Sequence, residues 1–308
     1  MSIVTVGTVA FDAIETPFGK TDKIVGGAAT YIAWAASYFT KDINVVSVIG
    51  DDFDMDELAK LEARGVDTSG IEIKAGGKSF FWSGKYHMDM NSRDTLATEL
   101  NVLLEFNPVL PESYRSQDIL MLGNIDPMLQ LNVIKQMAVR PKLIIMDTMN
   151  FWMDSTPDQL NQVIKEVDVL TINDEEARQL SNEYSLVKAA KKILTMGPKF
   201  LVIKKGEHGA LLFHENQVFF APALPLEEVF DPTGAGDTFA GGFVGWIAKT
   251  KNISFDNMKT AIIYGSTMAS FCVEKFGTER LQALTQEEID ERVQQFVQLV
   301  QFDIDLLD

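Results

Sequence analysis

One cysteine occurs in 308 residues, so the chain cannot staple itself with an internal disulfide. That residue, Cys272, lies in the apolar run Met-Ala-Ser-Phe-Cys-Val, which predicts a core thiol rather than a nucleophile. Histidine is nearly as scarce. His87, His208 and His214 show no metal-ligand spacing with one another or with the cysteine, which argues against a zinc enzyme. Positive charge is also short: 27 lysines and arginines face 44 acidic residues, a formal net charge of −17. Nucleic acids and anionic membranes need clustered basic residues to displace counterions, so neither is expected as a partner. No apolar run approaches the ~20 residues of a membrane span, and the N-terminus shows no basic region followed by an apolar stretch. A cytoplasmic location is expected. No Gly-x-Gly-x-x-Gly follows the first strand with an acid about twenty residues on, and no Walker sequence occurs, which argues against a dinucleotide-dependent dehydrogenase and a P-loop kinase. Internal repeats, low-complexity tracts and long linkers are absent as well.

What is present is 46% hydrophobic content, enough in a chain of this length to bury a substantial core. Short apolar runs at residues 1–7, 45–49, 119–122, 143–146, 169–172 and 201–203 read as strands. Helical patterns lie between them at 27–39, 57–64, 129–137, 159–166 and 186–196. This alternation predicts an α/β fold with a mostly parallel sheet covered by helices on both faces, whose ligands bind at the carboxyl ends of the strands. Gly7, Gly123, Asp147, Asn173, Lys204 and Asp231 fall just after such strands and should converge on one cleft. The stretch 70–99 breaks the pattern. Residues 71–75, 79–86 and 93–99 read as strands joined by Gly76-Gly77 and Met90-Asn91-Ser92 turns, and with 15–18 and 23–25 they predict a small separate sheet. The acidic end at Asp303, Asp305 and Asp308 reads as solvated.

The densest signal is Asp231-Pro232-Thr233-Gly234-Ala235-Gly236-Asp237-Thr238-Phe239-Ala240-Gly241-Gly242-Phe243. Pro232 and the glycines force a tight turn that leaves the amides of Gly234, Ala235 and Gly236 facing a ligand. Residues 238–248 read as a helix, so its positive dipole end points at the same spot. A phosphoryl group would find its charge stabilised there, with Asp237 placed to accept a proton from an attacking hydroxyl. The plainer alternative is a closely packed helix start with Asp237 as its cap.

This run resembles the C-terminal signature of the ribokinase-like (PfkB) carbohydrate kinases, and Gly26-Gly27-Ala28-Ala29-Thr30-Tyr31-Ile32-Ala33 resembles their N-terminal element. The likeness covers nearly the whole chain, strongest at 226–246 and weakest through 70–100. It implies a single ribokinase-like domain over residues 1–308, with a small β-sheet lid formed by about 12–25 and 70–100. That lid would close over the acceptor and exclude water, and in many relatives it is the homodimer interface. The implied reaction is ATP-dependent transfer to a hydroxyl of a small sugar or polyol. Asp237 would be the base, and Gly234, Ala235 and Gly236 the anion hole.

The resemblance assigns further residues. Asn173 and Glu176 match the NxxE element, hard ligands suited to magnesium held through water; an acidic helix start is the alternative for the same residues. Lys204, Gly206 and Gly209 match the nucleotide-phosphate loop, with Lys204 as a point charge on phosphate. Asp231, Thr233 and Gly277 match a monovalent cation site, potassium in kind, although Asp231 also reads as a turn cap. Asp12 matches the aspartate that binds two sugar hydroxyls, and Gly27 lets them approach the backbone. Asp126 and Asn150 lie at later strand ends and would complete a polar ring, or serve as turn residues. Two positions depart from the pattern. Tyr31 and Ser266, the latter near the adenine pocket, stand where asparagine is frequent, which leaves the acceptor open. Residues 147–158 hold no lysine or arginine, which favours an unphosphorylated acceptor, with Lys85 and Arg93 on the lid weighing the other way. A nucleoside kinase of the same family is the nearest alternative, with Tyr31 and the lid aromatics stacking on a base. A non-catalytic sugar- or nucleotide-binding regulator is the other, and it would have no need of Asp237.

Overall fold

Apolar side chains on both faces of the central strands dictate the architecture. The computed structural model describes residues 1–301, and the acidic end at Asp303, Asp305 and Asp308 lies outside the described residues. The chain opens with β1 (Ile3–Val6), β2 (Ala10–Thr16), β3 (Gly19–Lys20), β4 (Ile24–Gly26) and α1 (Ala28–Ala36). Next come β5 (Ile43–Gly50), α2 (Met55–Ala63), β6 (Val66–Lys74) and the hairpin of β7 (Phe81–Tyr86) and β8 (Arg93–Glu99). Strand and helix then alternate through β9 (Ile119–Leu122), α3 (Pro127–Gln136), β10 (Leu143–Asp147), α4 (Asn150–Ser155), α5 (Pro157–Ile164) and β11 (Val169–Asn173). After α6 (Asp174–Ser181), α7 (Leu186–Leu194) and β12 (Phe200–Lys204), β13 (Ala210–His214) and β14 (Gln217–Ala221) form a second hairpin. Helices α8 (Ala235–Thr250), α9 (Phe255–Cys272), α10 (Glu279–Ala283) and α11 (Gln286–Val300) complete the described chain.

Nine strands form one sheet in the order β14-β13-β12-β11-β10-β9-β1-β5-β6. All neighbours from β6 to β12 are parallel, and the β13–β14 hairpin adds an antiparallel edge. Ile3, Ile119, Met121 and Ile145 pack on one face with α1, α8 and α9. Val4, Val6, Leu120 and Leu122 pack on the other with α5, α6 and α7. Burial on both faces is what favours a parallel sheet over an antiparallel one with a wet side. Every residue of α1 is buried, and α8 approaches it closely because Gly241 and Gly245 lie where a side chain would strike Ile32 O and Ala36. This packing carries the start of α8 to the carboxyl edge of the sheet.

The second sheet runs β3-β2-β7-β8, with β4 also paired to β2. Its β2–β7 pairing is parallel, so the two strands cannot be joined by a tight turn. One expectation is corrected here. Residues 71–75 do not open the small sheet: β6 continues along β5, with Ile71 opposite Ser47 and Ile73 opposite Ile49. An alternating pattern reads alike in either sheet, but Gly70 lies against Val45 O and Tyr114, where any side chain would overlap, and this fit holds β6 to β5. The small sheet therefore draws on residues 10–26 and 81–99 rather than 12–25 and 70–100.

Candidate active site

The loop before α8 adopts a turn that only glycine tolerates. Gly234 has φ 74° and serves as the N-cap residue of α8, and a Cβ there would overlap the ring of Tyr31. Asp231 anchors the turn from beneath. It is fully buried, one carboxylate oxygen accepting from Thr233 N at 2.8 Å and the other from Gly277 N at 3.0 Å. The three residues expected at a cation site thus converge. Asp237 lies in the first turn of α8 and is partly exposed. Burial, then the nearby Asp147 carboxylate, push its carboxyl up to about 7, with Lys204 opposing. A carboxylate poised near neutrality at a helix start can act as a base.

Strand ends supply the opposing charge. Lys204 ends β12, and its Nζ sits 2.6 Å from Asp147 Oδ2 at the end of β10. Thr171 Oγ1 donates to the same oxygen at 3.0 Å, and Thr148 N donates to Oδ1 at 2.8 Å. Burial disfavours the charged lysine, yet Asp147 and Glu176 outweigh it and hold the ammonium above its usual range. The amine also lies 3.2 Å from where a Cβ would stand on Gly236, beside the amides of the turn. Asn173 and Glu176 form a capping box at the start of α6: Asn173 Oδ1 accepts from Glu176 N at 2.8 Å, and Glu176 Oε2 accepts from Asn173 N at 2.7 Å. Burial pushes Glu176 up to about 7, with Lys204 opposing. Among the described residues no three histidine, cysteine or acidic side chains gather into a metal cage. Glu176 still keeps one carboxylate oxygen outside the capping bond, and magnesium commonly takes one or two carboxylates with waters and phosphates. The residues fit that ion.

Asn173, Lys204, Ala235 and Gly236 border a cleft of about 630 Å³. Asn173, Lys204, Gly206 and Gly209 line one stretch of it, with the two glycines at φ 55° and 84° in the turn after β12. Ser266, Ala269 and Val273 of the α9 region face Leu224, Pro225, Leu226 and Val229 at an apolar end suited to a flat base. On the acceptor side Asp12 lies on β2 and is 5% exposed. Burial and then repulsion from Asp231 and Asp237 push it up to about 8, against a hydrogen bond from Gly27 N. Gly26 and Gly27 leave room that side chains would fill, since a Cβ on Gly26 would overlap the Asp12 carboxylate.

Three expected acceptor residues stand apart. Tyr31 is 1% exposed and forms the floor under Gly234, so it offers no open face for a base; its large ring fills the space that the missing Gly234 side chain leaves. Asp126 caps α3, accepting from Met128 N at 2.7 Å, and Asn150 starts α4 exposed, bonded to Phe151 N. Neither lines the cleft, nor does Asp12, but Asp126 and Asn150 are both taken up by local helix-start bonds. The sequence placed Asp147 at the cleft as a strand-end residue without its Lys204 partner, and gave Tyr86 no site role. Tyr86, on β7 and 6% exposed, accepts from Thr233 Oγ1 at 3.2 Å and ties the small sheet to the turn. The apolar alternation of residues 79–86 was the signal that one face of β7 is buried. Cys272 is a buried thiol pushed up to about 12 by burial, as its apolar neighbours predict.

Residues 2–284 match the pfkB family carbohydrate kinase pattern. The chain belongs to the pfkB family of carbohydrate kinases. This pfkB kinase is 30% identical over 250 residues to a cytidine kinase of Thermococcus kodakarensis, covering 79% of this chain and 87% of that protein. Its fold is that of a Burkholderia thailandensis nucleoside kinase in complex with inosine, with TM-score 0.77, 20% identity, and 95% and 98% of the two chains covered. A putative ribokinase II of E. coli in complex with ATP and magnesium superposes with TM-score 0.77 at 18% identity, covering 97% and 99%. The pfkB kinase is therefore a phosphotransferase that acts on a hydroxyl group of a sugar or nucleoside, of an ATP-dependent family. No helix among its described residues is long and apolar enough to cross a membrane.

Proposed function

We propose that this pfkB kinase transfers the γ-phosphoryl group of ATP to a primary hydroxyl of an unphosphorylated, ribose-bearing acceptor, a nucleoside. The observation that carries the absence of phosphate is that residues 147–158 hold no lysine or arginine, while the lysines of the small-sheet region are paired. Lys23 pairs with Asp52 at 3.1 Å, and Lys85 and Lys20 both pair with Glu15. A sugar phosphate would need free positive charge there, and Arg93 on β8 weighs the other way. The likeness to the cytidine kinase, continuous over most of both chains, supports the nucleoside. A free sugar or polyol is the second reading, favoured by the burial of Tyr31, which removes one stacking surface for a base.

In this reading Asp12 accepts hydrogen bonds from two acceptor hydroxyls and holds the third beside Asp237. Asp237 takes the proton of that hydroxyl as its oxygen attacks the γ-phosphorus. The Gly234, Ala235 and Gly236 amides stabilise charge on the phosphoryl oxygens, as does the positive end of α8. Lys204 leaves Asp147 for phosphate. Magnesium held by Asn173 and Glu176 would neutralise phosphate charge. A monovalent cation sharing Asp231 and Thr233 would brace the turn that their own hydrogen bonds already shape. A homodimer through the small sheet is proposed from the exposure of Leu96 on β8. The test is ADP formation from ATP across nucleosides, sugars, polyols and sugar phosphates, with Asp237→Ala alongside. Nucleoside-dependent turnover that vanishes in the variant is expected. Turnover with sugar phosphates alone would overturn the acceptor, and binding without turnover would return the regulatory reading.

A further inference from the structure

Behind the strand ends lies a carboxamide that is 0% exposed, Gln130 of α3. The β9–β10 ladder stops at Leu122 opposite Met146, one residue short of Gly123 and Asp147. Gln130 Nε2 takes over where the ladder stops, donating to Gly123 O at 2.9 Å and to Asp147 O at 3.1 Å. An amide nitrogen carries two protons, so both are engaged, and two carbonyl neighbours fix which end of the carboxamide is nitrogen. Its Oε1 has no hydrogen-bond partner among the described residues, and neither has the buried Thr148 Oγ1 next to Asp147. A buried acceptor left alone is unfavourable, so Gln130 is a poor residue for packing and a specific one for bridging two carbonyls.

The two bridged ends differ in what else holds them. Gly123 N donates to Val6 O at 2.8 Å, and a Cβ on Gly123 would stand 3.3 Å from Ala28 Cβ, so β1 and α1 also fix that end. Asp147 is the last residue of β10, paired with Thr171 of β11 on one side and held by Gln130 on the other. Its carboxylate accepts from Lys204 Nζ, Thr171 Oγ1 and Thr148 N. A carboxylate so engaged keeps one aim only while its main chain is fixed. Lys204 in turn lines the cleft beside Gly236, whereas neither Gln130 nor Asp147 lines it. Gln130 thus has no nucleotide contact of its own, and its route to the phosphate site runs through Asp147 and Lys204.

We propose that Gln130 is a positioning residue for the phosphate-binding lysine: its carboxamide bridges the ends of β9 and β10 and, through Asp147, sets where Lys204 stands in the cleft. The inference rests on Lys204 as a phosphate ligand and does not depend on which acceptor is used. With the bridge in place, the ammonium is held beside the amides of the turn before nucleotide arrives, and binding needs little rearrangement. Without it, the Asp147 end of β10 loses one of its two lateral anchors. The lysine then starts from a displaced place, and its charge-assisted bonds to phosphate weaken.

Calorimetry with AMP-PNP and magnesium on the full chain tests this without any acceptor. Gln130→Met, of similar length and with no donor, should lower affinity about fivefold, the order expected when a charge-assisted bond is weakened rather than lost. Gln130→Asn keeps a buried amide that is one methylene too short to bridge both carbonyls, and it should show a similar loss. Lys204→Met should lower affinity by about tenfold or more. In the Lys204→Met background, Gln130→Met should change affinity by less than about twofold, because the group it positions is gone. In steady-state kinetics the KM for ATP should rise while the KM for acceptor holds, since Gly123 keeps its other anchors. Equal losses from Gln130→Met in both backgrounds would overturn the proposal, because a loosened core acts whether or not Lys204 is present. So would wild-type affinity in both Gln130 variants, or an acceptor KM that rises as much as that for ATP. A Lys204→Met variant that binds AMP-PNP as tightly as wild type would remove the phosphate role of Lys204 and the proposal with it, an outcome the lysine variant alone reveals.

Discussion

At the scale of single residues, Asp237 is a carboxylate whose surroundings favour its neutral form, yet the reaction needs it charged. An unfolded aspartate titrates near 3.8, whereas the folded one is pushed up to about 7. The folded state therefore holds a proton that the unfolded state has lost between these values, and stability falls as pH rises through that window. Asp237→Asn should abolish acceptor-dependent turnover and raise the thermal midpoint at pH 8 by about 2–6 °C, with the gain shrinking toward pH 4. Melting curves at pH 5 and pH 8 check this, and equal midpoints for both proteins at pH 8 would contradict it. The wild-type rate should rise as pH passes through about 7, where the base loses its proton. Asp237 was legible because its whole setting lies in thirteen consecutive residues. The pairings of Asp147 and Tyr86 were not, because the partners are distant: Lys204 is 57 residues from Asp147, and Thr233 is 147 from Tyr86. Pairs of that separation leave no local spacing to read. Tyr31 was misread for the same reason, since only the fold brings Gly234 over its ring.

At the scale of elements, the parallel strands were legible because each is a short apolar run buried on both faces, and such runs stand out against polar loops. The boundary of the small sheet was not, since an alternating strand carries no mark of which sheet it joins, and β6 joined β5. Asp126 shows a related limit: an Asp-Pro pair at a strand end reads equally as a helix start, and it caps α3. The seating of the small sheet depends on few polar contacts with the turn. Among them, the Tyr86 hydroxyl bonded to Thr233 is buried and leaves Thr233 Oγ1 without that partner if removed. Tyr86→Phe should raise the KM for acceptor and lower kcat by about threefold to tenfold, the worth of one neutral hydrogen bond of about 1 kcal/mol. Steady-state kinetics on the variant decide it, and unchanged constants would show that the sheet seats without this bond.

At the scale of the whole molecule, an acidic chain receives a polyphosphate, so affinity must come from local geometry against the general field. The composition made the absence of a basic surface plain, but it could not show that the cleft reserves Lys204 and Arg93 for itself. Binding there should lock the large and small sheets together. AMP-PNP with magnesium at one hundred times Kd should stabilise the protein by about 2.7 kcal/mol, enough to raise the thermal midpoint by about 4 °C. A thermal shift assay checks it, and an unmoved midpoint would remove the donor assignment of the cleft.

The burial of α1 has a consequence for how the protein is made. Its nine residues are covered mainly by α8, which the ribosome delivers only after everything from Ala36 to Ala235. At ordinary synthesis rates of about 5–20 residues per second, an alanine-rich apolar helix waits roughly 10–40 s for its cover. During that interval the nascent chain holds a greasy stripe open to solvent and to other polypeptides. Chains cut short before residue 235 should thus be sticky, whereas the finished protein has no such stripe to show.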